Sequence, residues 1–215
     1  MVTAKQFYPG IIEYSGRISA GYNSGRALSA AAAAACGGIQ AGGNVQSGVE
    51  ALLAGNNQTA LTYFQAAAQQ DPTYIYNAQL QLGVMSYLGR AQYLTGSYAQ
   101  ASQTLEKALV QNSDDNLAKL YLGLSQARLG NNQAGLQNIE ASMKQINNWF
   151  TFLNGYYPGQ GWDPGGAIQS RIQSALAMIS SGNVQWPRLF ADGESVGMGV
   201  AQQEQTFRQL NIDAT

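Results

Sequence analysis

GSYAQASQTLEKALVQNSD occupies residues 96–114, and its skeleton stands twice more in the same chain, as GNNQTALTYFQAAAQQDP at 55–72 and GNNQAGLQNIEASMKQIN at 130–147. Each copy opens on a glycine turn and continues as an Ala- and Gln-rich helical pattern. Five residues after the turn glycine comes a small residue (Ala60, Ala101, Gly135), nine after it a bulky one (Phe64, Leu105, Ile139), and twelve after it a small one again (Ala67, Ala108, Ser142). Seven residues before each turn glycine stands a second glycine: Gly48, Gly89 and Gly123. Gly96 and Gly130 are 34 residues apart, and Gly55 and Gly96 are 41 apart, which is the same unit with seven residues inserted. A unit that recurs at this period is a supersecondary hairpin that buries its apolar face only by stacking on the next copy.

The pattern resembles the tetratricopeptide repeat, a helix–turn–helix unit, over residues 41–149. The resemblance implies that small residues let the A and B helices of each hairpin touch and that the bulky residue fills the space between them. Asp71-Pro72 closes the first repeat where that family often carries proline. The sequence departs at Ser113 and Asn147, and the mid-helix aromatic of the family is replaced by Ala51, Gln92 and Gln126. The expected fold is an all-α helix–turn–helix solenoid with a C-terminal capping helix and an extended N-terminal arm. Its helices are expected at about 41–54, 57–70, 76–95, 97–111, 115–129 and 132–150, the third lengthened by the insertion, with Asp114 or Asp115 capping the fifth.

Three less regular pieces flank the repeats. Residues 1–37 read as an arm, with alternating apolar and polar residues and a Pro9-Gly10 break, followed by an Ala-rich helix at 23–37. Residues 150–215 read as an aromatic loop, a capping helix at 167–180 and a tail that is loop from Gly182 with a short helix near 199–210. In the capping helix, Ile168, Ile172, Ala175, Leu176 and Ile179 share one face and are expected to stack on the last repeat.

Chemistry is scarce. The chain has no histidine and a single cysteine, Cys36, which excludes His-based nucleophile systems, His metal sites and an intrachain disulfide. No glycine-rich loop ends in Gly-Lys-Ser/Thr, so a phosphate loop is absent from the sequence. No enzyme activity, metal or cofactor is expected. Net charge is −1 with scattered Lys and Arg, which argues against nucleic acid and against an anionic membrane surface. The longest apolar run, ALSAAAAAAC at 27–36, is too short to span a bilayer. Asn57 opens an Asn-Gln-Thr sequon at an exposed turn, a glycan acceptor if the chain is secreted by a glycosylating cell.

What remains is protein binding. The family resemblance implies that the A helices line a concave groove. Its candidate residues are Val45, Val49 and Leu52, then Ser86, Arg90 and Tyr93, then Leu117, Leu120 and Leu124. That groove is apolar with one cation and lacks the paired Lys and Arg that grip a peptide carboxylate terminus. The arm supplies an apolar strip of its own, Phe7, Tyr8, Ile11, Ile12 and Tyr14. Only 11% of residues are charged, against about 25% in ordinary domains, so copies repel one another weakly. The leading expectation is a scaffold that joins copies of itself head to tail through arm and solenoid, which gives a filament if the contact does not close. The alternatives are an adaptor whose groove takes a peptide of a different protein, and a carbohydrate-binding surface protein using Trp149, Phe150, Phe152, Tyr156, Tyr157 and Trp162. Low charge and a single thiol set the expected location as extracellular or periplasmic, while the lack of a visible signal peptide fits the cytoplasm.

Overall fold

The computed structural model of the chain describes residues 27–77, 82–156 and 162–212, with side chains over 39–76, 82–155 and 162–206. The chain divides into two compact units, Met1–Ala34 and Ala35–Thr215, and the packing described below is that of the second. The arm residues Phe7, Tyr8, Ile11, Ile12 and Tyr14 lie outside the described residues.

Among the described residues, eight helices pack in sequential pairs. They are α1 (Ala27–Leu53), α2 (Asn57–Gln70), α3 (Val84–Leu94), α4 (Tyr98–Gln111), α5 (Asn116–Arg128), α6 (Asn132–Tyr156), α7 (Ala167–Ser180) and α8 (Trp186–Ile212). Three hairpins, α1/α2, α3/α4 and α5/α6, close on Gly55, Gly96 and Gly130, all with positive φ (77°, 83° and 88°). The same two hydrogen bonds seal each turn. The glycine N–H donates to the carbonyl three residues back, and the next N–H donates to the carbonyl five back: Gly55 to Leu52 and Asn56 to Ala51, Gly96 to Tyr93 and Ser97 to Gln92, Gly130 to Ala127 and Asn131 to Gln126, at 2.8–3.0 Å. These pairs satisfy carbonyls that a helix end otherwise leaves open, and they require a residue that tolerates the left-handed region.

The spacing of small and bulky residues works as the sequence pattern implies. A Cβ added to Gly48 would lie 2.5 Å from the Phe64 ring, and one added to Gly89 would lie 2.5 Å from Leu105. At Gly123 it would meet the backbone of α6 itself, the Gly135 carbonyl and the Ile139 nitrogen, both at 2.8 Å. The bulky residue of each B helix therefore sits in the notch of its own A helix. Phe64, Leu105 and Ile139 are fully buried there, each contributing about 2–3 kcal/mol of apolar burial.

Four elements differ from the sequence-based expectation. The Ala-rich helix and the first A helix are one helix, α1; Gly42 within it is no break, because its bare Cα accommodates Tyr74. The inserted seven residues do not lengthen a helix to 76–95. They form a hairpin of β1 (Ile75–Asn77) and β2 (Leu82–Gly83), antiparallel with Ile75 opposite Gly83, and α3 starts only at Val84. Tyr74-Ile75-Tyr76 favours extended backbone, and an Asx turn, with Thr73 N–H on Asp71 Oδ1 at 2.9 Å, leads the chain into it. The sixth helix continues beyond 150 to Tyr156. The tail from Gly182 is mostly helix: α8 covers 27 residues rather than a short segment near 199–210.

The capping helix α7 spans the expected residues 167–180 and packs on α6 and on α8. Asp163 fixes its start: one carboxylate accepts the N–H of Ile168 at 3.0 Å and of Gln169 at 2.9 Å. Among the described residues no helix is long and apolar enough to cross a membrane.

Candidate protein-interaction site

All nine candidate groove residues are buried. Val45, Val49 and Leu52 belong to the core around α1, and Leu117 and Leu120 to the core around α5. The remaining four, Ser86, Arg90, Tyr93 and Leu124, bear on the contacts that follow.

The face made by α3 and α5 already holds a helix, which is α8. Its glycines let it come close: a Cβ on Gly193 would lie 2.9 Å from Leu124, and one on Gly197 would lie 2.7 Å from the Tyr121 ring. The four-residue spacing of Gly193 and Gly197 puts both on one stripe of the helix. Leu189, Val196 and Val200 of α8 are buried beside them. Polar contacts then fix the register. Tyr93 donates to Glu194 at 2.7 Å, and Tyr87 donates to Glu204 at 3.3 Å. Burial raises both phenols well above their ordinary pKa, and the acidic partners on α8 add to that, so both hydroxyls stay protonated donors. Arg128 pairs with Glu194 at 3.4 Å and lies over the Phe190 ring, 3.8 Å from its centroid.

Arg90 is the exception to this matching. It is only 3% exposed. Its Nη2 reaches the thioether of Met198, at 3.9 Å. Its guanidinium sits over the Tyr121 ring at 5.4 Å, near enough to the hydroxyl to work against the rise that burial gives that phenol's pKa, while Nε and Nη1 make no close hydrogen bond. A guanidinium offers five N–H donors and stays charged. Leaving most of them unmatched in the interior is costly.

Ser86 has another role. Its hydroxyl bonds the carboxylate of Asp115, which caps α5 by accepting the Ala118 N–H at 2.8 Å. Burial raises the Asp115 pKa from 3.8 to about 6, against the lowering effect of these hydrogen bonds. The folded state therefore holds the Asp115 proton more tightly than the unfolded chain. This group's contribution to stability is largest below the unfolded value and falls as pH rises from 3.8 to about 6. Asp115→Asn keeps a cap acceptor without the buried charge. It is expected to flatten that slope and to raise stability at pH 7 by about 1–3 kcal/mol, read from urea unfolding across that range.

The residues that hold α8 were not all in the expected set. Tyr87, Tyr121 and Arg128 lie on the same face but carry no signal beyond their place on an A helix. Gly193 and Gly197 carry one, their four-residue spacing. Trp162, named for a carbohydrate platform, is 7% exposed and packs edge-on against Trp149 at 5.2 Å. At that exposure the Trp162 ring presents little face to a sugar, whereas Phe152 of the same cluster is 39% exposed. The side chains of Tyr156 and Tyr157 lie outside those described. Asn57 is the first residue of α2, half-exposed just after the turn. No group of three or more His, Cys, Asp or Glu residues among the described residues comes together to hold a metal ion.

A family model for the tetratricopeptide repeat matches residues 51–129. No curated protein and no solved structure matches the chain.

Proposed function

We propose, from the premise that residues 51–129 are a tetratricopeptide repeat domain, that this chain is a non-enzymatic protein-interaction scaffold and that its principal partner is another copy of itself. The observation that carries the reading is the occupancy of the A-helix face. Because α8 already fills it, a neighbour meets the outer helices and the β-hairpin instead. There Val110 of α4 is 88% exposed, Ile75 of β1 52% and Tyr63 of α2 38%. Apolar side chains outside a core at these levels suit an extended apolar segment, and the sequence around Phe7, Tyr8, Ile11, Ile12 and Tyr14 reads as one. An arm that docks on the next copy makes a head-to-tail contact, and one that does not close grows a filament. An extracellular or periplasmic location belongs to the same reading, on the sparse charge of the surface.

The test is deletion of residues 1–22. The full chain is expected to run as an assembly by light scattering and to show regular particles in negative stain, and the truncated chain as a monomer with its melting temperature nearly unchanged. A monomeric full chain, or a truncation that lowers only thermal stability, overturns the reading.

A further inference from the structure

We propose that the contact between copies is made by strand addition: residues 12–19 of one copy pair with the outer edge of β1 in the next, as a third strand beside β1 and β2. This rests on the arm-mediated reading above and names the place and the chemistry of its contact.

Three observations carry it. The first is the edge. β1 has β2 on one side and, among the described residues, no strand on the other. Val84 donates to the Tyr74 carbonyl at 2.9 Å, beside the Ile75–Gly83 pair. Ile75 and Gly83 are therefore a non-hydrogen-bonded pair, and the N–H and C=O of Ile75 turn away from β2. Tyr74–Asn77 carries neither the charge nor the proline that guards an edge against pairing. The second observation is the division of β1 into two faces. Tyr74 and Tyr76 lie on the α1 side: a Cβ on Gly42 would lie 2.6 Å from the Tyr74 hydroxyl, and Tyr76 donates to Gln46. Ile75 takes the opposite face and is 52% exposed. A register shift between Ile75 and Asn77 keeps this ladder short, so the contact draws on apolar packing as well as on hydrogen bonds.

The third observation is a sequence that fits. Ile12, Tyr14 and Ile18 stand at even positions, and Glu13, Ser15, Arg17 and Ser19 at odd ones. That is the period of a strand with one apolar face, and aromatic and β-branched residues make favourable cross-strand neighbours for an isoleucine. Residues 1–22 reach about 70 Å when fully extended. A 14-residue helix such as α2 is about 21 Å long, so the segment has the length to cross to a neighbour. The β1 edge of a second copy offers only three residues in its place.

The test is Ile75→Pro in the full chain. Proline removes the N–H that points outward, breaks no bond to β2, and is accepted on edge strands at such positions. Light scattering is expected to fall from assembly to monomer, with the helical circular dichroism kept and the melting temperature within about 4 °C of the parent. A folded Ile75→Pro chain that assembles like the parent overturns this proposal and leaves the arm-mediated reading to the deletion of residues 1–22. A monomeric full chain overturns both. A truncated chain that still pairs while Ile75→Pro does not shows β1 edges joined to each other, which also overturns this proposal. A second measurement decides if Ile75→Pro folds poorly. A synthetic peptide of residues 11–20, added in excess to the parent chain, is expected to shorten the assemblies. Two versions N-methylated at the backbone of Glu13 or of Tyr14 are expected to differ at least about tenfold in potency, because an added strand turns only every second N–H toward its one neighbour. Equal potency of the two, or no effect of the unmodified peptide by about 1 mM, overturns the proposal.

Discussion

Gly123→Ala is expected to remove about 3–5 kcal/mol of stability, while Gly130→Ala, seven residues later, removes about 1. The two glycines are alike in sequence and opposite in cause. At Gly130 an added methyl meets open space, and the cost is only the left-handed backbone at φ 88°. At Gly123 the backbone is helical, so alanine favours the helix itself by about 1 kcal/mol. Yet its methyl would stand 2.8 Å from the Gly135 carbonyl oxygen and 2.8 Å from the Ile139 nitrogen. These are backbone atoms of a helix and cannot rotate away. The contact is reciprocal, since a Cβ on Gly135 would lie 2.8 Å from the Gly123 oxygen and 2.9 Å from Ala127. Helices α5 and α6 must therefore move apart, opening the seat of Ile139. Gly89→Ala is expected to fall between the two, because the obstacle there is the Leu105 side chain, which is buried but has rotamers to try. Urea midpoints of the three variants at a common m-value check the order. A Gly123→Ala midpoint no lower than that of Gly130→Ala would show that the helices do not approach at this notch.

The same glycines explain how far the sequence could be read. A repeated notch and knob sixteen residues apart is a local code, because both partners lie in one hairpin. Gly48 with Phe64, Gly89 with Leu105 and Gly123 with Ile139 therefore announce hairpins, and α7 announces itself by an apolar stripe. The hairpin of β1 and β2 was hidden for the opposite reason. Seven inserted residues carry no period, and the Tyr74 carbonyl that receives the Val84 N–H at 2.9 Å is visible only once the chain has turned. Helix α8 was hidden by its own glycines. In a linear reading Gly193, Gly197 and Gly199 break a helix. In space they meet Leu124, Tyr121 and Ile168, and the propensity they forfeit is offset by close packing. Pro187 fits the first turn of a helix, where no N–H is needed, but also reads as a loop signal.

The candidate site divides along the same line. That Arg90, Tyr93 and Leu124 share the face of the A helices follows from repeat register alone. That the face is filled does not, because the filler lies about one hundred residues downstream and matches it through side-chain pairs, not through any repeated motif. The carboxylates of α8 gave no hint by themselves. Glu194 in ADGES reads as a turn residue until Tyr93 and Arg128 are seen around it.

Gly197→Leu is expected to detach α8 while leaving the three hairpins folded. The leucine side chain has no room: even its first carbon would lie 2.7 Å from the Tyr121 ring. Tyr121 is 1% exposed and is held by the Tyr93 ring at 5.4 Å and the Arg90 guanidinium, so it cannot swing aside cheaply. Relief comes from lifting α8. That exposes Leu189, Val196 and Val200, each worth about 1.5–3 kcal/mol of burial, so docking of α8 loses on the order of 5 kcal/mol. The hairpins keep their own knobs and notches, none of which involves α8. Limited proteolysis is expected to cut within 181–185 and within α8 while residues 39–155 stay protected, and a hydrophobic dye is expected to report the bared wall of Tyr121 and Leu124. Gly182→Ala serves as the control. It alters the same linker where a methyl meets nothing, and its cost is only that of a left-handed residue. If Gly197→Leu keeps the cleavage pattern and melting of the parent chain, the α8 stripe is not seated on Tyr121. If cleavage spreads at once through the repeats, the hairpins depend on α8 for their fold.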